Sequence, residues 1–372
     1  MNILIVGEFS AFAHHLKAGF VSLGHDVCVV THGDGFKKLD GDYDDIKYNI
    51  PKDINLFGRT IKKSHILINP FENKSLNDKL KTKHTPDLII VVNSVFVSAS
   101  YFQLGVDIGY IKRCKKAGSK VILCSCGADP ANHRFYPDLK YYKYAFPGGL
   151  SQYSKRDEDK FIKLIELSDI IIPTSYEYYY SINKYLQLYN LTTKCSETIP
   201  VPVTELQSDF SSCEGRKIKI FHGVIRSAEK GTPYFVDALK RIEKDFPDKV
   251  EIIIDGRMPY NDYLELLVKV DVLLDNTNCY DLGVNSALGL MMGKVVLSGN
   301  EPEAEKVMGL GRLPVINAIP DVDYIYNVLV DLIHNPQKID RIKLESREFA
   351  QKHLTAKVIA SRYLNLIVKE DK

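Results

Sequence analysis

The stretch that decides the fold runs from residue 270 to residue 298 and reads VDVLLDNTNCYDLGVNSALGLMMGKVVLS. The apolar run VDVLLDN predicts a strand, and a glycine at 283 then leads into an apolar helix. Gly293 is placed to end that helix, and KVVLSG follows as a second strand. A strand, a helix and another β-branched strand in this order are typical of a parallel sheet covered by helices.

The same alternation continues outward in both directions. Upstream lie KIKIFHG, a helix from Tyr234 to Phe246 and VEIIID, and the chain is helical from Asp321 onward. The polar residues 203–216 predict a linker. A second set of strands precedes it: NILIVG, HDVCVVTHG, PDLIIVVNS, SKVILCS and DIIIPTS. Residues 37–83 fit this pattern poorly and indicate an insertion with one weak strand. We therefore predict an α/β chain with two tandem doubly wound, Rossmann-like domains and a helical tail.

Composition narrows the class of protein. The chain has 372 residues, 45% of them hydrophobic, which suits two domains. A net charge of +2 gives no strong attraction to nucleic acid, so we expect no nucleic-acid partner. The seven cysteines are scattered and are expected to be reduced. We expect no secretory leader. No apolar run in the sequence approaches the roughly 18 residues of a membrane span. These features predict a cytoplasmic protein whose membrane contact, if any, is peripheral at the inner face of the membrane.

A basic loop follows the first strand of the second domain. The stretch FHGVIRSAEKGT, residues 221–232, supplies His222, Arg226 and Lys230 together with Gly223 and Gly231. An arginine and a lysine on one loop can clamp a diphosphate, and glycines let the backbone approach it. The alternative is a solvated basic loop with turn glycines.

The start of the helix in the opening stretch is a second candidate for anion binding. Gly283, Val284 and Asn285 would present backbone N–H groups there, and the helix dipole favours negative charge at that end. The alternative is a buried helix with a glycine entrance. That alternative does not explain why a basic loop and a glycine-led helix occur in one domain, each after a strand.

The motifs of this second domain resemble those of a known family. HGVIRSAEKGT is similar to the R-x-x-x-K-G segment of retaining GT-B glycosyltransferases of the "group 1" type, and the opening stretch with GNEPE resembles their donor-binding segment. LSDIIIPTSYE and TIPVPV resemble segments of their first domain. The resemblance implies an acceptor domain at 1–204 and a donor domain at 216–349 that face each other across a cleft. It implies a tail, 350–372, that packs back on the first domain.

The chain departs from the best-known members of that family at two positions. Those members carry two glutamates eight positions apart, which fall here on Tyr280 and Leu288. The second glutamate binds ribose in that branch, so we expect Asp281, Asn285 or Glu303 to contact the ribose instead. The pattern GVNSAL…MMGKVVLSG also resembles a less studied bacterial branch that lacks the paired glutamates.

Two further residues border the same predicted cleft. In the resembled family the loop that corresponds to DGRMPYNDY lies near the nucleotide base. Tyr260 would then stack on the base or hydrogen-bond to it, and Arg257 would neutralise phosphate. The alternative is a surface turn with Asn261 as an N-cap.

The first domain supplies candidates for the acceptor side. Gly7 and Glu8 end the first strand, and His14 follows at a helix. Asp129 comes just after a strand, with His133 four residues on. The resemblance implies that an acidic residue or histidine in this loop contacts the transferred sugar or the acceptor, so Asp129 is our catalytic candidate. The alternative is a turn aspartate before Pro130.

The predicted function is sugar transfer from a nucleotide diphosphate sugar to a glycan or lipid-linked acceptor in bacterial surface polysaccharide synthesis. The resemblance implies retention of configuration and implies that no cofactor and no metal are needed. Two alternatives stay open: a nucleotide-sugar epimerase of the same fold, and a binding protein that has lost catalysis. Lys230→Ala is expected to remove donor affinity and leave the fold intact.

Scattered lysines indicate a solvated face or contact with anionic lipid: Lys62, Lys63, Lys74, Lys79, Lys81 and Lys83.

Overall fold

The computed structural model describes residues 1–32, 45–48, 54–56, 59–61, 65–100, 103–149, 153–206 and 210–368. Its first half is built on a parallel sheet of seven strands in the order β11-β10-β9-β6-β1-β2-β3. The strands are β1 Asn2–Val6, β2 Asp26–Thr31, β3 Ile46–Lys47, β6 Leu88–Val91, β9 Lys120–Ser125, β10 Ile170–Pro173 and β11 Lys194–Cys195. The helices are α1 Phe12–Ser22, α2 His65–Thr82, α3 Ile108–Lys116, α4 Pro130–Phe135, α5 Lys155–Leu167 and α6 Tyr176–Leu188.

The second half is built on a parallel sheet of five strands in the order β13-β12-β14-β15-β16. The strands are β12 Ile218–Gly223, β13 Val250–Asp255, β14 Val272–Leu274, β15 Val295–Ser298 and β16 Val315–Asn317. The helices are α7 Ser227–Lys230, α8 Thr232–Asp245, α9 Tyr260–Lys269, α10 Val284–Met291, α11 Pro302–Met308, α12 Val322–His334, α13 Pro336–His353 and α14 Ala356–Val368.

Both sheets are doubly wound, which confirms the predicted fold class. In each sheet the chain starts in the middle, proceeds to one edge and returns to the other side of its first strand. The order reverses between β1 and β6 in the first sheet and between β12 and β14 in the second. The central strands are buried on both faces, because helices cover each side; Ile5, Ile90 and Leu273 are all at most 1% exposed.

The interval from residue 37 to residue 83 differs from its prediction of one weak strand. Beside β3 it contains an antiparallel pair, β4 Ile54–Leu56 with β5 Arg59–Ile61, and the 18-residue helix α2. The sequence of α2 is mostly polar and contains a proline, so its helical period is weak. Its Leu76 and Leu80 are nevertheless buried. Two short strands, β7 Val97–Ser98 and β8 Val106–Asp107, form a further parallel pair. Lys62 and Lys63 lie outside the described residues.

The chain crosses between the two halves twice, and the two crossings touch. The backbone of Val203 pairs with the residues on either side of Thr355, with N–O distances of 2.9 Å to Leu354 and 2.8 Å to Ala356. Beyond this point α14 packs against α1 of the first half. Gly19 allows the close approach, because a Cβ there would lie 2.1 Å from the carbonyl oxygen of Ala356. Among the described residues, no helix has the length and apolar character needed to cross a membrane.

Candidate functional site

The candidate site lies where the strand order of the second sheet reverses. β12 and β14 are neighbours there, with His222 opposite Leu274 at their carboxyl ends. The loop after β12 carries Arg226 and Lys230, and the loop after β14 leads to the start of α10. Ligands of doubly wound sheets bind in the crevice at such a reversal. The topology therefore brings together the two segments that the sequence predicts to bind phosphate.

The two cations of the basic loop have different surroundings. Arg226 has a left-handed backbone, with φ of 55°, and 61% of its side chain is exposed beside Glu229 at 3.0 Å. The side chain of Lys230 is only 9% exposed and turns inward. Arg226 is thus accessible to a ligand from solvent, whereas Lys230 is held within the fold.

Lys230 forms a buried ion pair that the sequence analysis did not predict. Its Nζ lies 2.6 Å from Oδ1 of Asp275, the first residue after β14. Asp275 also accepts hydrogen bonds from the Ser286 hydroxyl at 2.6 Å and from Asn285 Nδ2 at 3.4 Å. Burial opposes ionisation of Asp275, but the Lys230 ammonium and these donors outweigh it and hold its pKa below the usual value. The only signal in the sequence was an aspartate directly after a buried strand.

The start of α10 has the arrangement expected of an anion site. Gly283 is its N-cap in an extended conformation, and no side chain of the described residues caps this helix. The first N–H groups of a helix have no partner within it. Ser286, in the first turn, is buried and bonded to Asp275. Val284 and Asn285 therefore begin the helix next to the Lys230–Asp275 pair.

His222, a predicted donor-binding residue, is buried in the structure. The ring is 0% exposed, with Nδ1 2.9 Å from the carbonyl oxygen of Leu274 and Nε2 2.9 Å from the Thr232 hydroxyl. Burial lowers the pKa of His222 to about 4, so the ring is neutral. His222 therefore joins β12, β14 and the start of α8 beneath the site.

The two glycines of the basic loop serve different purposes. Gly231 has φ of 65°, and a Cβ on it would lie 1.9 Å from the Thr277 hydroxyl oxygen. Gly231 is therefore required by packing between the loops after β12 and β14. Gly223 has no such conflict, since its nearest neighbour would be the Phe221 ring at 3.6 Å.

Tyr260 contacts the first half of the chain. Its hydroxyl lies 3.1 Å from Nε2 of His15, whose ring is buried and also meets Thr204 at 3.2 Å. Burial and then the nearby His14 lower the pKa of His15 to about 3, so this ring is neutral. The Tyr260 hydroxyl therefore joins the second half of the chain to the first, and contact of its ring with a nucleotide base stays a prediction. Arg257 is exposed, with a left-handed φ of 58°.

The candidates at the first strand form the entrance to α1. Glu8 is 3% exposed and accepts hydrogen bonds from the backbone N–H of Ala13 at 3.2 Å and of His14 at 2.9 Å. Gly7 packs under the Phe96 ring, where a Cβ would lie 2.0 Å away. The side chain of His14 is exposed. Glu8 thus occupies a helix start, and His14 is accessible.

Asp129, the predicted catalytic residue, is a buried helix cap in the structure. It is 2% exposed and accepts hydrogen bonds from the Asn132 N–H at 2.7 Å and the Ser125 hydroxyl at 2.9 Å. Burial raises its pKa to about 6. The geometry matches the alternative of a turn aspartate before Pro130. His133 lies on the same short helix, edge-on to Tyr153 at 5.6 Å.

The two halves meet at Tyr280, the first of the two positions where the resembled enzymes carry glutamates. Tyr280 stacks on Tyr176 of the first half at 4.8 Å, and its hydroxyl accepts a hydrogen bond from the Lys140 N–H at 3.0 Å. The Lys140 ammonium lies 2.9 Å from Glu301 and 2.8 Å from Glu303. Glu303, a ribose candidate, is thus paired across the cleft in this structure. Leu288 is 1% exposed and belongs to the core.

Asp281 forms part of a buried carboxyl pair at this junction. Its Oδ2 accepts a hydrogen bond from the Tyr176 N–H at 2.9 Å. Asp281 Oδ1 and Glu177 Oε2 are buried and have no hydrogen-bond partner among the described residues. Burial, and then the Glu177 charge, raise the pKa of Asp281 well above its usual value, and burial raises that of Glu177 to about 7. The pair therefore holds protons near neutral pH.

This pair predicts a specific dependence of stability on pH. The folded chain keeps the Glu177 proton up to about pH 7, whereas the unfolded chain releases it near pH 4.5. The free energy of unfolding that this group contributes is therefore greatest below pH 4.5 and is lost as pH rises through 7. We expect Glu177→Gln to be more stable than wild type at pH 8 by about 1–3 kcal/mol, and to lose this advantage at pH 4.5.

The measurement is thermal unfolding of both proteins from pH 4.5 to pH 8. Glu348→Gln, at an exposed glutamate on α13, is the control and should show no such trend. A difference between Glu177→Gln and wild type that stays constant over this range would contradict the prediction.

Within the described residues, no three His, Cys, Asp or Glu side chains lie together in an arrangement that could hold a metal ion.

A scan of protein-family models and a search of curated proteins found no match. Solved structures do match over almost the whole chain. HepE from Anabaena in complex with UDP-glucose is 12% identical, with 99% of this chain and 100% of that chain covered and a TM-score of 0.61.

Two other solved structures show the same architecture. Sucrose-phosphate synthase from Thermosynechococcus elongatus is 12% identical, covers 99% of this chain and 98% of its own, and has a TM-score of 0.63. A glycosyltransferase from Rickettsia africae is 12% identical, covers 98% and 97% of the two chains, and has a TM-score of 0.56. The chain therefore has the GT-B fold.

Proposed function

We propose, from this fold and the site at its second sheet, that the chain is a glycosyltransferase that uses a nucleoside diphosphate sugar. The observation that supports this most is the meeting of the basic loop and the start of α10 at the strand-order reversal, where they are joined through Asp275. The match to HepE in complex with UDP-glucose supports the same class of donor.

In this proposal the site stabilises the leaving nucleoside diphosphate. Negative charge develops on the diphosphate as the bond to the sugar breaks. Arg226 supplies an accessible guanidinium, and the N–H groups at the start of α10 supply fixed dipoles. Lys230 lies beside that helix start within its ion pair. Closure of the two halves would exclude water and limit hydrolysis of the donor.

The finer assignments are also proposals. The acceptor is a glycan or a lipid-linked sugar, the product belongs to a bacterial surface polysaccharide, and the reaction retains configuration without a metal. A binding protein that has lost catalysis is a second candidate. It is favoured by Tyr280 and Leu288, which are buried where the resembled enzymes carry glutamates.

The first experiment is thermal unfolding with UDP, GDP, ADP, CDP and CMP. We expect one nucleoside diphosphate to stabilise the protein, by about 2.7 kcal/mol at a hundred times its dissociation constant. Arg226→Ala should lose most of this effect and stay folded, because its side chain is exposed. Arg341→Ala is a matched control, since Arg341 is 67% exposed and faces Glu345 at 3.8 Å on α13.

The effective nucleotide then selects the sugar donors for a transfer assay. Transfer to an acceptor, with the anomeric configuration of the product read by NMR, would support the enzyme and test retention. Binding without turnover over a broad panel of acceptors would favour the binding protein. No stabilisation by any nucleotide, or an equal one in Arg226→Ala, would overturn the proposed site.

A further inference from the structure

One buried aspartate directly precedes strand β14 and another directly follows it, and both are ion-paired. At its amino end, Asp271 accepts from Arg216 at 2.7 and 2.8 Å and from Lys343 at 3.1 Å. At its carboxyl end, Asp275 pairs with Lys230 at 2.6 Å. Only the carboxyl ends of parallel strands face the ligand crevice. The two pairs are therefore similar in chemistry but differ in position relative to the candidate site.

The carboxyl-end pair connects both parts of that site. Asp275 uses one oxygen for Lys230 and the other for the Ser286 hydroxyl in the first turn of α10. Its side chain is 6% exposed and that of Lys230 is 9% exposed, so solvent screens the pair only weakly. At rest the ammonium that lies nearest the helix start is thus already neutralised by a carboxylate of the chain.

We propose that Asp275 is the resident counter-ion of Lys230, and that a phosphate of the nucleoside diphosphate competes with it for the ammonium. This inference rests on the proposed function, because it concerns the same ligand. Asp275 is a positioning residue: it holds Lys230 next to α10 when the site is empty. It also weakens the hold on the nucleoside diphosphate, so that this product leaves after the sugar has been transferred.

The proposal predicts that removal of the Asp275 charge strengthens ligand binding. In Asp275→Asn the buried ammonium has no anionic partner until a ligand arrives. A unit charge within a few ångströms of a phosphate, weakly screened, changes affinity by roughly tenfold or more. We expect Asp275→Asn to be less stable than wild type without ligand, and to bind UDP, GDP, ADP or CDP, whichever wild type prefers, with a Kd lower by about this factor. We also expect stronger product inhibition and a lower kcat.

Asp271→Asn is the matched control, since it also breaks a buried ion pair beside β14. It should lose stability and keep the wild-type Kd for the nucleoside diphosphate. Ser286→Ala is a milder second variant that serves if Asp275→Asn does not fold. It removes a neutral donor from Asp275, which then depends more on Lys230, so the Kd should rise several-fold.

Inorganic pyrophosphate, tested on the same proteins, separates this inference from the proposed function. If wild type binds a nucleoside diphosphate, but Asp275→Asn binds it no more tightly and Ser286→Ala no more weakly, the counter-ion role of Asp275 is overturned. The proposed function is then unaffected. If Asp275→Asn binds pyrophosphate more tightly than wild type and no variant binds a nucleotide, the counter-ion role of Asp275 is supported. The nucleotide-sugar function is then overturned. Absence of binding by both ligands in every variant would overturn both.

Discussion

Lys230→Ala is expected to lower the free energy of unfolding by about 3–5 kcal/mol and to abolish detectable binding of nucleoside diphosphates. The stability loss follows from the Asp275 carboxylate, whose side chain is 6% exposed and would remain buried without its cation. This revises the expectation from sequence that the variant would keep an intact fold. Denaturant unfolding gives the stability, and titration calorimetry gives the affinity.

The double variant Lys230→Ala/Asp275→Asn distinguishes the two roles of the lysine. Removal of both charges leaves no uncompensated ion, so the double variant should regain most of the lost stability. It should not regain affinity, because the ammonium is still missing. If the stability loss of the double variant equals the sum of the losses in the two single variants, the two charges do not interact in solution.

Gly231→Ala is expected to be the second large effect, with a loss of about 2–4 kcal/mol. A left-handed φ of 65° is unfavourable for alanine, and the new Cβ would lie 1.9 Å from the Thr277 hydroxyl oxygen. The loop after β12 must then move away from the loop after β14. Because Lys230 precedes this glycine, affinity for nucleoside diphosphates should fall as well. Thermal unfolding and ligand titration measure the two effects.

Gly223→Ala is the control for stability in the same loop. Its φ lies outside the left-handed region, and its Cβ would meet only Phe221 at 3.6 Å, so its unfolding free energy should change by less than about 1 kcal/mol. Thr277→Ala added to Gly231→Ala should recover the steric part of the loss, though not the part due to φ. Equal stability of Gly231→Ala and Gly223→Ala would contradict the account.

The fold was predictable from sequence because β-branched runs and helical periods alternate along nearly the whole chain. The meeting of the basic loop with the start of α10 was predictable for a related reason: loops after parallel strands share one edge of the sheet. Helix α2 was missed because its sequence is mostly polar and its helical period is weak, although Leu76 and Leu80 are buried.

The individual contacts of the site were less predictable. Lys230 and Asp275 are 45 residues apart, and no local pattern indicates that they meet. His222 and Asp129 follow or end strands, as functional residues do, but a position in sequence does not reveal that each is buried with its polar atoms bonded. The hydrogen bond of Tyr260 was not predictable because its partner, His15, belongs to the other half of the chain. Binding of phosphate by Arg226 and by the start of α10 stays a prediction.

The packing of α14 on α1 has a consequence for the order in which the protein is completed during synthesis. The first half emerges from the ribosome first, and such domains generally begin to fold as they appear. Here α1 packs against α14, where Gly19 lies against Ala356 and Ala360, and α14 is made after the whole second sheet. The half that is translated first is therefore completed only after the second sheet has been made, and a nascent chain that stops before residue 356 would display an uncovered apolar helix face.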